Sequence, residues 1–585
     1  MGSVLKDWIE QEADLKSVTF LQQELGISSF LADLLVQRGL HDPSDAEQFL
    51  KPKLKHLEDP FAIKNMDGAI SRILKAREEK EGVLLVGDYD VDGITSTVMI
   101  QQALDSIGLQ ADIVIPKRLS EGYGLTREVL SRGLGNGNHR LVIALDCGTN
   151  SITEAGFLKE NGIDLIVVDH HQLKTKVLPD AILVNPHLQT DNGEPWRSLC
   201  TAGLCFKLIH ALYKKARERE LPGSENLTPR DFLPLCAIGT LADLVPLKGE
   251  SRIFSRFGIK RLFMDASPGL LALLKECGLD GAFEPETEDI TYKLAPRINA
   301  CGRLNMPETA VSLLLEKEVG ICKDLAKRLT QFNEERKGIE SKLTADAIAQ
   351  AEENFGDKPA VIVTGDGDAW HPGVVGIVAG KLASSLNKPC LVLARSENGE
   401  YCGSGRSVPG VNLVEILSQC KERLTHWGGH PVAVGLGLLE KELNGFILEF
   451  LESVEKTSSQ IKQEQGLPLV VDAFVHKNEI RYELLDELND LGPFGQDNPE
   501  PVLGVKSVIL DSPPRKIGNG EHFQFSFHNG NGFIRGIAWR MGEHVPPQTT
   551  ELDLAFKLRR NYWNGTSSLQ LVLEDWKLSE TSDRR

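Results

Sequence analysis

An α/β fold built on a parallel sheet is predicted for the larger part of this 585-residue chain, followed by a smaller α/β unit and a small β-barrel. Three observations predict it. Apolar, β-branched runs at residues 83–86, 141–145 and 165–168 have the length of buried parallel strands. Helical stretches alternate with these runs, which argues for a sheet covered on both faces. Each run stops at an acidic or histidine-bearing cluster: Asp88-Tyr89-Asp90-Val91-Asp92-Gly93, Asp146-Cys147-Gly148 and Asp169-His170-His171. In an open α/β sheet the carboxyl ends of the strands share one rim, where ligands bind. Carboxylates from three strands therefore converge, and anions crowd together only around a cation. A metal centre is the expectation.

The elements follow in order. Residues 1–55 form a helical lead, in which Ser44, with Glu47 three positions on, is expected to cap a short helix. Residues 56–318 carry the parallel sheet and a helical extension. A helix at 66–79 leads to the first strand, and another at 94–106 follows the Asp-rich turn. Strands are expected at 113–115, 141–145, 165–168 and 181–184. Asp243, in Gly239-Thr240-Leu241-Ala242-Asp243, falls at the end of an apolar helical stretch, 232–241, or in the turn beyond it. Residues 319–355 place Leu325, Leu329, Phe332, Ile339, Leu343 and Ile348 at helical intervals among many charges, which predicts long amphipathic connecting helix.

A second α/β unit is expected over 356–460, with strands at 360–363 and 391–393 and helices at 374–385 and 411–424. It contains Gly403-Ser404-Gly405-Arg406 and Gly428-Gly429-His430. A polar linker around 458–466 precedes six short strand-like runs between 466 and 578, separated by Gly, Asn and Pro, and these predict the barrel.

Six Asp (88, 90, 92, 146, 169 and 243) and two His (170 and 171), with no Cys at metal spacing, favour a hard divalent ion over structural zinc. Carboxylates suit magnesium or manganese, and an imidazole tilts the choice toward manganese. Two ions are expected: Asp90 and Asp92 can each serve a different one, with Asp146 bridging. Such a pair clamps the attacking and leaving oxygens of a phosphoryl displacement and generates a hydroxide nucleophile. Each cluster taken alone has a plainer reading, since a lone Asp after a strand is ordinarily a cap or turn residue.

Taken in order, Asp-Tyr-Asp-Val-Asp-Gly, Asp169-His170-His171 and Gly-Thr-Leu-Ala-Asp243 resemble the DHH phosphoesterase superfamily, and within it the RecJ single-strand-specific exonucleases. Pro116-Lys117-Arg118-Leu119-Ser120-Glu121-Gly122-Tyr123-Gly124, Pro296-Arg297-Ile298-Asn299-Ala300-Cys301-Gly302-Arg303 and Gly428-Gly429-His430 extend the resemblance from about residue 55 to the end of the chain. It implies a DHH catalytic domain, a DHHA1 auxiliary domain and a C-terminal OB-fold. It implies Asp90, Asp92, Asp146, His170 and Asp243 as metal ligands, with Asp88 either a direct ligand or a group orienting water. His171 would face the scissile phosphate, or donate a hydrogen bond beside the metal. Arg118 would recognise a terminal 5′ phosphate, while Arg297, Asn299, Arg303, Ser404, Arg406 and His430 would hold the strand. Tyr123, Trp370 and His371 are candidates for stacking on bases, and Phe523 and Tyr562 for extending that track on the barrel, although each could equally pack inside the fold.

The implied activity is 5′-to-3′ hydrolysis of single-stranded DNA to 5′ mononucleotides, in repair and recombination. The implied partners are single-stranded DNA, a single-strand-binding protein and a helicase. Two other readings share these residues: a DHH oligoribonuclease, cyclic-dinucleotide phosphodiesterase or pyrophosphatase, and a non-catalytic single-strand-binding protein. A net charge of −18 argues against tight coating of nucleic acid, which rests on Lys and Arg. Local field in a cleft, however, steers a ligand more than net charge does. Ten scattered Cys, no apolar stretch long enough to span a bilayer and no signal-like start predict reduced thiols in a cytoplasm and no membrane partner.

Overall fold

The computed structural model describes residues 7–118, 121–135, 137–174, 178–189, 193–279, 281, 283–367, 369–396, 398–458, 468–563 and 566–579. The chain divides into two compact units. One comprises Asp59–Val245 and Phe257–Gln463, and the other Met1–Glu58, Pro246–Arg256 and Glu464–Arg585.

In the first unit, five parallel strands lie in the order Ala111–Val114, Gly82–Val86, His139–Leu145, Asp164–Val168, Ile182–Val184. Nearly every residue of the three central strands is buried, which explains their unbroken apolar sequence. Leu84, Val142, Ala144, Leu165 and Val167 pack with Val129, Leu130, Ala155 and Leu158 of the helices on one face. The helices Met66–Glu79, Val91–Ser106 and Thr201–Glu218 pack against one another and the sheet. In chain order these strands run second, first, third, fourth, fifth. The order reverses between Gly82–Val86 and His139–Leu145, and a crevice opens at such a switch point.

Helix Val319–Phe355 is a single 37-residue element. Its first part packs against helices Pro268–Glu276, Ala295–Arg303 and Glu308–Leu315. Its last turns, through Leu343, Ala347 and Ala351, join the core of the auxiliary sheet. That sheet has the order His426–His430, Ala433–Leu439, Glu400–Arg406, Cys390–Arg395, Val361–Asp366, with the last two strands parallel and the others antiparallel. The helix expected at 411–424 is shorter, Leu413–Gln419, and Gly428-Gly429-His430 belongs to the edge strand.

In the second unit, a sheet of seven strands contains the long hairpin Leu552–Trp563 and Thr566–Leu578, and an isolated bridge between Leu510 and Phe527 links strands from its two halves. Helix Tyr482–Asp490, not anticipated from the sequence, adds Leu484, Leu485 and Leu488 to the same core. The N-terminal lead is part of this body. Val18, Leu21, Leu31, Leu34, Leu35 and Leu50 share one core with Leu503, Phe523, Phe527 and Phe556, and strand Trp8–Glu10 pairs in parallel with Leu469–Val471. Arg252 lies 3.7 Å over the Phe49 ring and donates to the Phe49 carbonyl at 3.1 and 3.2 Å, which ties in the segment Pro246–Arg256.

Three expectations are corrected here. The helix expected after Ser44 is Pro43–Leu50, and its cap is Asp42, which accepts from the amides of Ser44 and Asp45. Pro43 is pre-set for the first helical position and moves the start upstream. Trp370 is 3% exposed and Phe523 fully buried, so both are core residues and cannot stack on bases. The polar stretch 459–467 lies outside the described residues.

Because Leu34 is fully buried between the lead and the barrel, Leu34→Ala is expected to cost about 2–5 kcal/mol. Chemical denaturation followed by the fluorescence of this unit's tryptophans checks it. An unchanged midpoint would mean that the lead is not part of the barrel's core.

Candidate active site

The rim supplies the cluster from four places. Asp88, Asp90 and Asp92 follow strand Gly82–Val86, with Asp90 capping helix Val91–Ser106 by accepting from the Gly93 amide at 3.0 Å. Asp146 follows His139–Leu145 with a positive φ of 63°, a strained conformation for a non-glycine residue. Asp169, His170 and His171 follow Asp164–Val168, and Asp243 ends helix Leu233–Ala242. His170 Nε2 lies 3.4 Å from Asp243 Oδ2, 3.6 Å from Asp146 Oδ1 and 3.9 Å from Asp92 Oδ2.

The ligand atoms fall into three overlapping groups, each with its atoms within 4.8 Å of one another: Asp88, Asp90 and Asp146; Asp92, His170 and Asp243; and Asp146, His170 and His171. Asp146 is shared between the first and third. Asp90 and Asp92 fall in different groups.

Charge makes the case for a cation. Burial, then the charges of Asp92, Asp90 and Asp88, push the Asp146 carboxyl well above its ordinary value. Burial and Asp90 do the same to Asp88. Burial raises Asp92, and burial with Asp92 and Asp90 pushes Asp243 up to about 9. Such carboxylates cannot all ionise side by side without a compensating positive charge. Asp88 Oδ1 is buried with no hydrogen-bond partner among the described residues, an orphaned acceptor of the kind a cation satisfies. The donor set is oxygen and imidazole. The nearby thiols of Cys147 and Cys200 are held neutral, their values pushed well up by burial. The residues therefore fit manganese or magnesium.

Neighbours orient the ligands. The amides of Thr201 and Ala202 each donate to Asp92 at 2.8 Å, so the positive end of helix Thr201–Glu218 faces this carboxylate. Thr201 Oγ1 donates to Asp146 Oδ1 at 2.8 Å. Asp169 accepts from the Thr149 amide and binds His171 Nδ1 at 2.7 Å. Burial alone would raise Asp169, but its hydrogen bonds from His171 and Thr149 and the histidine charges hold it below the usual carboxylate range. Burial would lower His171, yet Asp169 pushes it up to about 9. Asn185 donates to Thr149 Oγ1 and to the His171 carbonyl, both at 3.0 Å. His171 Nε2 is hydrogen-bonded to the Tyr123 hydroxyl at 2.9 Å. Tyr123 is 52% exposed on a loop whose Glu121 accepts from Arg132 at 2.6 and 2.7 Å.

A second, cationic cluster adjoins the first. The charge of Arg118 works against the rise of Asp88 but does not cancel it, and burial, then Arg118, pushes Arg406 down. Burial, then Arg118 and Arg336, bring Arg303 down to about 10. Among the described residues, no carboxylate lies within ion-pairing distance of Arg118, Arg303 or Arg406. Arg303 donates to the Gly373 carbonyl at 3.0 Å, just before helix Val375–Leu386. At that helix's start, a side chain on Gly376 would stand 3.2 Å from Ser404 Oγ and 3.6 Å from an Arg406 nitrogen. Strand register sets His430, Ala433 and Arg406 in one row, so exposed His430 shares a sheet face with Arg406 and Ser404.

Two of the expected strand-holding residues sit differently. Asn299 is half-buried one helical turn before Arg303, on the same face. Arg297 is committed elsewhere: Nε donates to Thr330 Oγ1 at 3.1 Å, Nη2 to the Glu276 carbonyl at 3.1 Å, and Nη1 to the Lys293 carbonyl. It ties helices together, its nitrogens committed to this scaffold. Sequence reasoning missed Thr201, Thr149 and Asn185. Asn185 had a signal, since it follows a fourth strand, Ile182–Val184, at the same rim.

Fold and site together define a metal-assisted phosphoesterase with a carboxylate–imidazole centre and an arginine-lined substrate side. Comparison narrows the class. The chain matches the DHH family, N-terminal domain, over residues 82–240, the DHHA1 domain over 357–457 and the RecJ OB domain over 471–575. It is 35% identical over 579 residues to the single-stranded-DNA-specific exonuclease RecJ of Bacillus subtilis (strain 168), covering 98% of this chain and 71% of that protein. Its identity to the Escherichia coli (strain K12) RecJ is 31% over 562 residues, covering 93% and 95%. The crystal structure of Thermus thermophilus RecJ in complex with Mn2+ superposes with a TM-score of 0.81 at 26% identity, covering 98% of this chain and 80% of that one. The chain belongs to the RecJ family of single-stranded-DNA-specific exonucleases.

Because four carboxyls of the metal-free cluster are raised, protons compete with cations. Asp243, titrating near 9, favours the metal-free fold while protonated, and that contribution is lost as pH climbs from the ordinary carboxylate range through about 9. Bound cation reverses the preference. The rise in melting temperature on adding Mn2+ is therefore expected to be larger at about pH 8.5 than at about pH 6. Equal rises would mean that these carboxyls are not the ligands.

Proposed function

We propose that this protein is a metal-dependent 5′-to-3′ exonuclease that hydrolyses single-stranded DNA to 5′ mononucleotides during repair and recombination. The observation that carries the reading is the closeness, within one unit, of a buried anionic cluster fitted to divalent cations and an arginine cluster that, among the described residues, has no carboxylate partners. A phosphodiester chain satisfies both, with its scissile phosphate at one and its neighbouring phosphates at the other. Manganese and magnesium are the cations we assign. Structures of Thermus thermophilus RecJ in complex with Mn2+ and with Mg2+ support this, as do the oxygen-rich groups of this chain.

Asp88, Asp90, Asp92, Asp146, His170 and Asp243 would hold the ions. When bound, the ions supply Lewis-acid stabilisation of phosphate oxygens and a hydroxide nucleophile near neutral pH. The chain does the rest. Asp169 fixes the tautomer and orientation of His171, so that Nε2–H can meet the scissile phosphate in place of the Tyr123 hydroxyl. Arg303, Asn299, Ser404, Arg406 and His430 hold phosphates on the auxiliary side, where guanidinium groups give bidentate contacts. Arg118 takes the terminal 5′ phosphate, which sets the direction of travel. Exposed Phe533, Trp539 and Tyr562 on the barrel are its stacking candidates.

All ten cysteines are free, which supports a reducing cytoplasmic setting, and no helix among the described residues is long and apolar enough to cross a membrane. A helicase and a single-strand-binding protein suit it as partners, because single strands must be opened and kept open before they can be cut.

Digestion of 5′- and 3′-labelled oligonucleotides of graded length tests the reading. A 5′ label is expected to appear at once as mononucleotide, while a 3′ label shortens one nucleotide at a time. Loss of activity on long strands would instead favour a small-substrate phosphodiesterase. Asp146→Ala is expected to lower kcat by at least about 10²-fold and to weaken Mn2+ binding, measured by calorimetry. Near-normal turnover by this variant would overturn the metal assignment.

A further inference from the structure

We propose that Tyr89 is a positioning residue for 5′-end selection, holding the Arg118 guanidinium over its ring so that the N–H donors stay free for a phosphate. The inference rests on the reading of Arg118 given above and adds the device that makes that reading work.

Tyr89 sits between two candidate metal ligands, Asp88 and Asp90. The Arg118 Cζ lies 5.3 Å from the ring centroid, in cation–π range. Among the described residues Arg118 has no hydrogen-bonded or ion-paired partner. That combination is informative. A carboxylate partner would have occupied two of the five N–H donors, whereas an aromatic face engages the flat side of the guanidinium and leaves the in-plane donors open. A long arginine side chain otherwise loses rotamer freedom on binding, and stacking it beforehand reduces that loss.

The ring itself is pinned. A side chain on Gly302 would stand 2.5 Å from the Tyr89 carbonyl oxygen and 3.1 Å from its Cβ, so helix Ala295–Arg303 closes directly on Tyr89. The Tyr123 ring meets the Tyr89 ring edge-on, with centroids 6.2 Å apart. Arg303 is the next residue after Gly302. One aromatic ring thus braces Arg118 beside the point where Arg303 enters the site, and it sets the spacing between an end-recognising and a chain-holding arginine.

The test is the ratio of kcat/KM on 5′-phosphorylated to kcat/KM on 5′-hydroxyl oligonucleotides of the same sequence, with Mn2+ affinity measured in parallel. Tyr89→Leu is expected to lower this ratio by about fivefold, chiefly through KM on the phosphorylated strand. Tyr89→Phe, which keeps the ring, is expected to retain at least half of the wild-type ratio. If Tyr89→Leu does not fold, Tyr89→Met is read in the same way. Equal losses on both substrates would overturn the proposal, because the residue would then be only structural. So would a loss of the ratio in Tyr89→Phe, which would shift the role from the ring to the hydroxyl. Arg118→Ala separates the two layers. If it leaves the ratio unchanged, the reading of Arg118 as the 5′-phosphate contact fails. If it collapses the ratio while Tyr89→Leu and Tyr89→Met do not, that reading stands and the role of Tyr89 falls.

Discussion

Five carboxylates and an imidazole brought to one buried point are the constraint on which the rest of the first unit depends. Their mutual repulsion, sharpened by burial, would drive them apart or leave them protonated unless a cation sits among them. The fold overcomes this with rigid supports. Three parallel strands, buried on both faces, fix where Asp88, Asp146 and Asp169 emerge. The positive φ of Asp146 persists because its amide is bonded to the Val168 carbonyl and its carboxylate to Thr201. The amide end of helix Thr201–Glu218 partly offsets Asp92. None of these supports neutralises the cluster; they hold it open for ions that do.

The arginines face the mirror-image problem. Arg118, Arg303 and Arg406 repel one another and, among the described residues, lie together without carboxylate partners. A buried cluster on the connecting helix shows what compensation would have looked like: Glu340 binds both Arg336 and Lys381, and Arg336 also donates to Asn333 Oδ1 at 2.7 Å. There the charges are spent within the fold, linking the long helix to helix Val375–Leu386. At the cleft they are left for a ligand. A chain with a net charge of −18 can therefore still take a polyanion, since the field at the site is set by a few uncompensated groups.

How much of this the sequence disclosed depends on the range of the interaction. Strand ends carrying Asp88, Asp146 and Asp169 were legible because length, β-branching and the following acid are all local. Helix Met66–Glu79 was legible from its period for the same reason. The cap at Asp42 was missed through local competition, since Pro43 starts the helix one residue ahead of Ser44 and moves the cap two residues upstream. Thr201 and Thr149 were not legible as supports, because each acts on a carboxylate 20 to 109 positions away, and Asn185 had only its place after a strand to mark it. Aromatic residues exposed the other limit: Trp370 and Phe523 have the side chains a base would stack on, and only packing reveals that they are core. The union of the N-terminal lead with a barrel more than 400 residues later was equally invisible, since strand Trp8–Glu10 has no sequence mark naming Leu469–Val471 as its partner.

Arg297 and Arg303 sharpen the point, because they share one motif and one helix but not one fate. Six positions apart on a helix, they are separated by about 600° of rotation, about 240° past a full turn, so they point to different faces. Arg297, near the start, spends its nitrogens on the carbonyls of Glu276 and Lys293 and on Thr330. Among the described residues Arg303, at the end, donates only to the Gly373 carbonyl and lies close to Arg118 and Tyr89. A motif match treats both alike; hydrogen-bond accounting assigns Arg297 to the scaffold, anchoring one end of the helix while the other end carries Arg303 toward the arginine cluster.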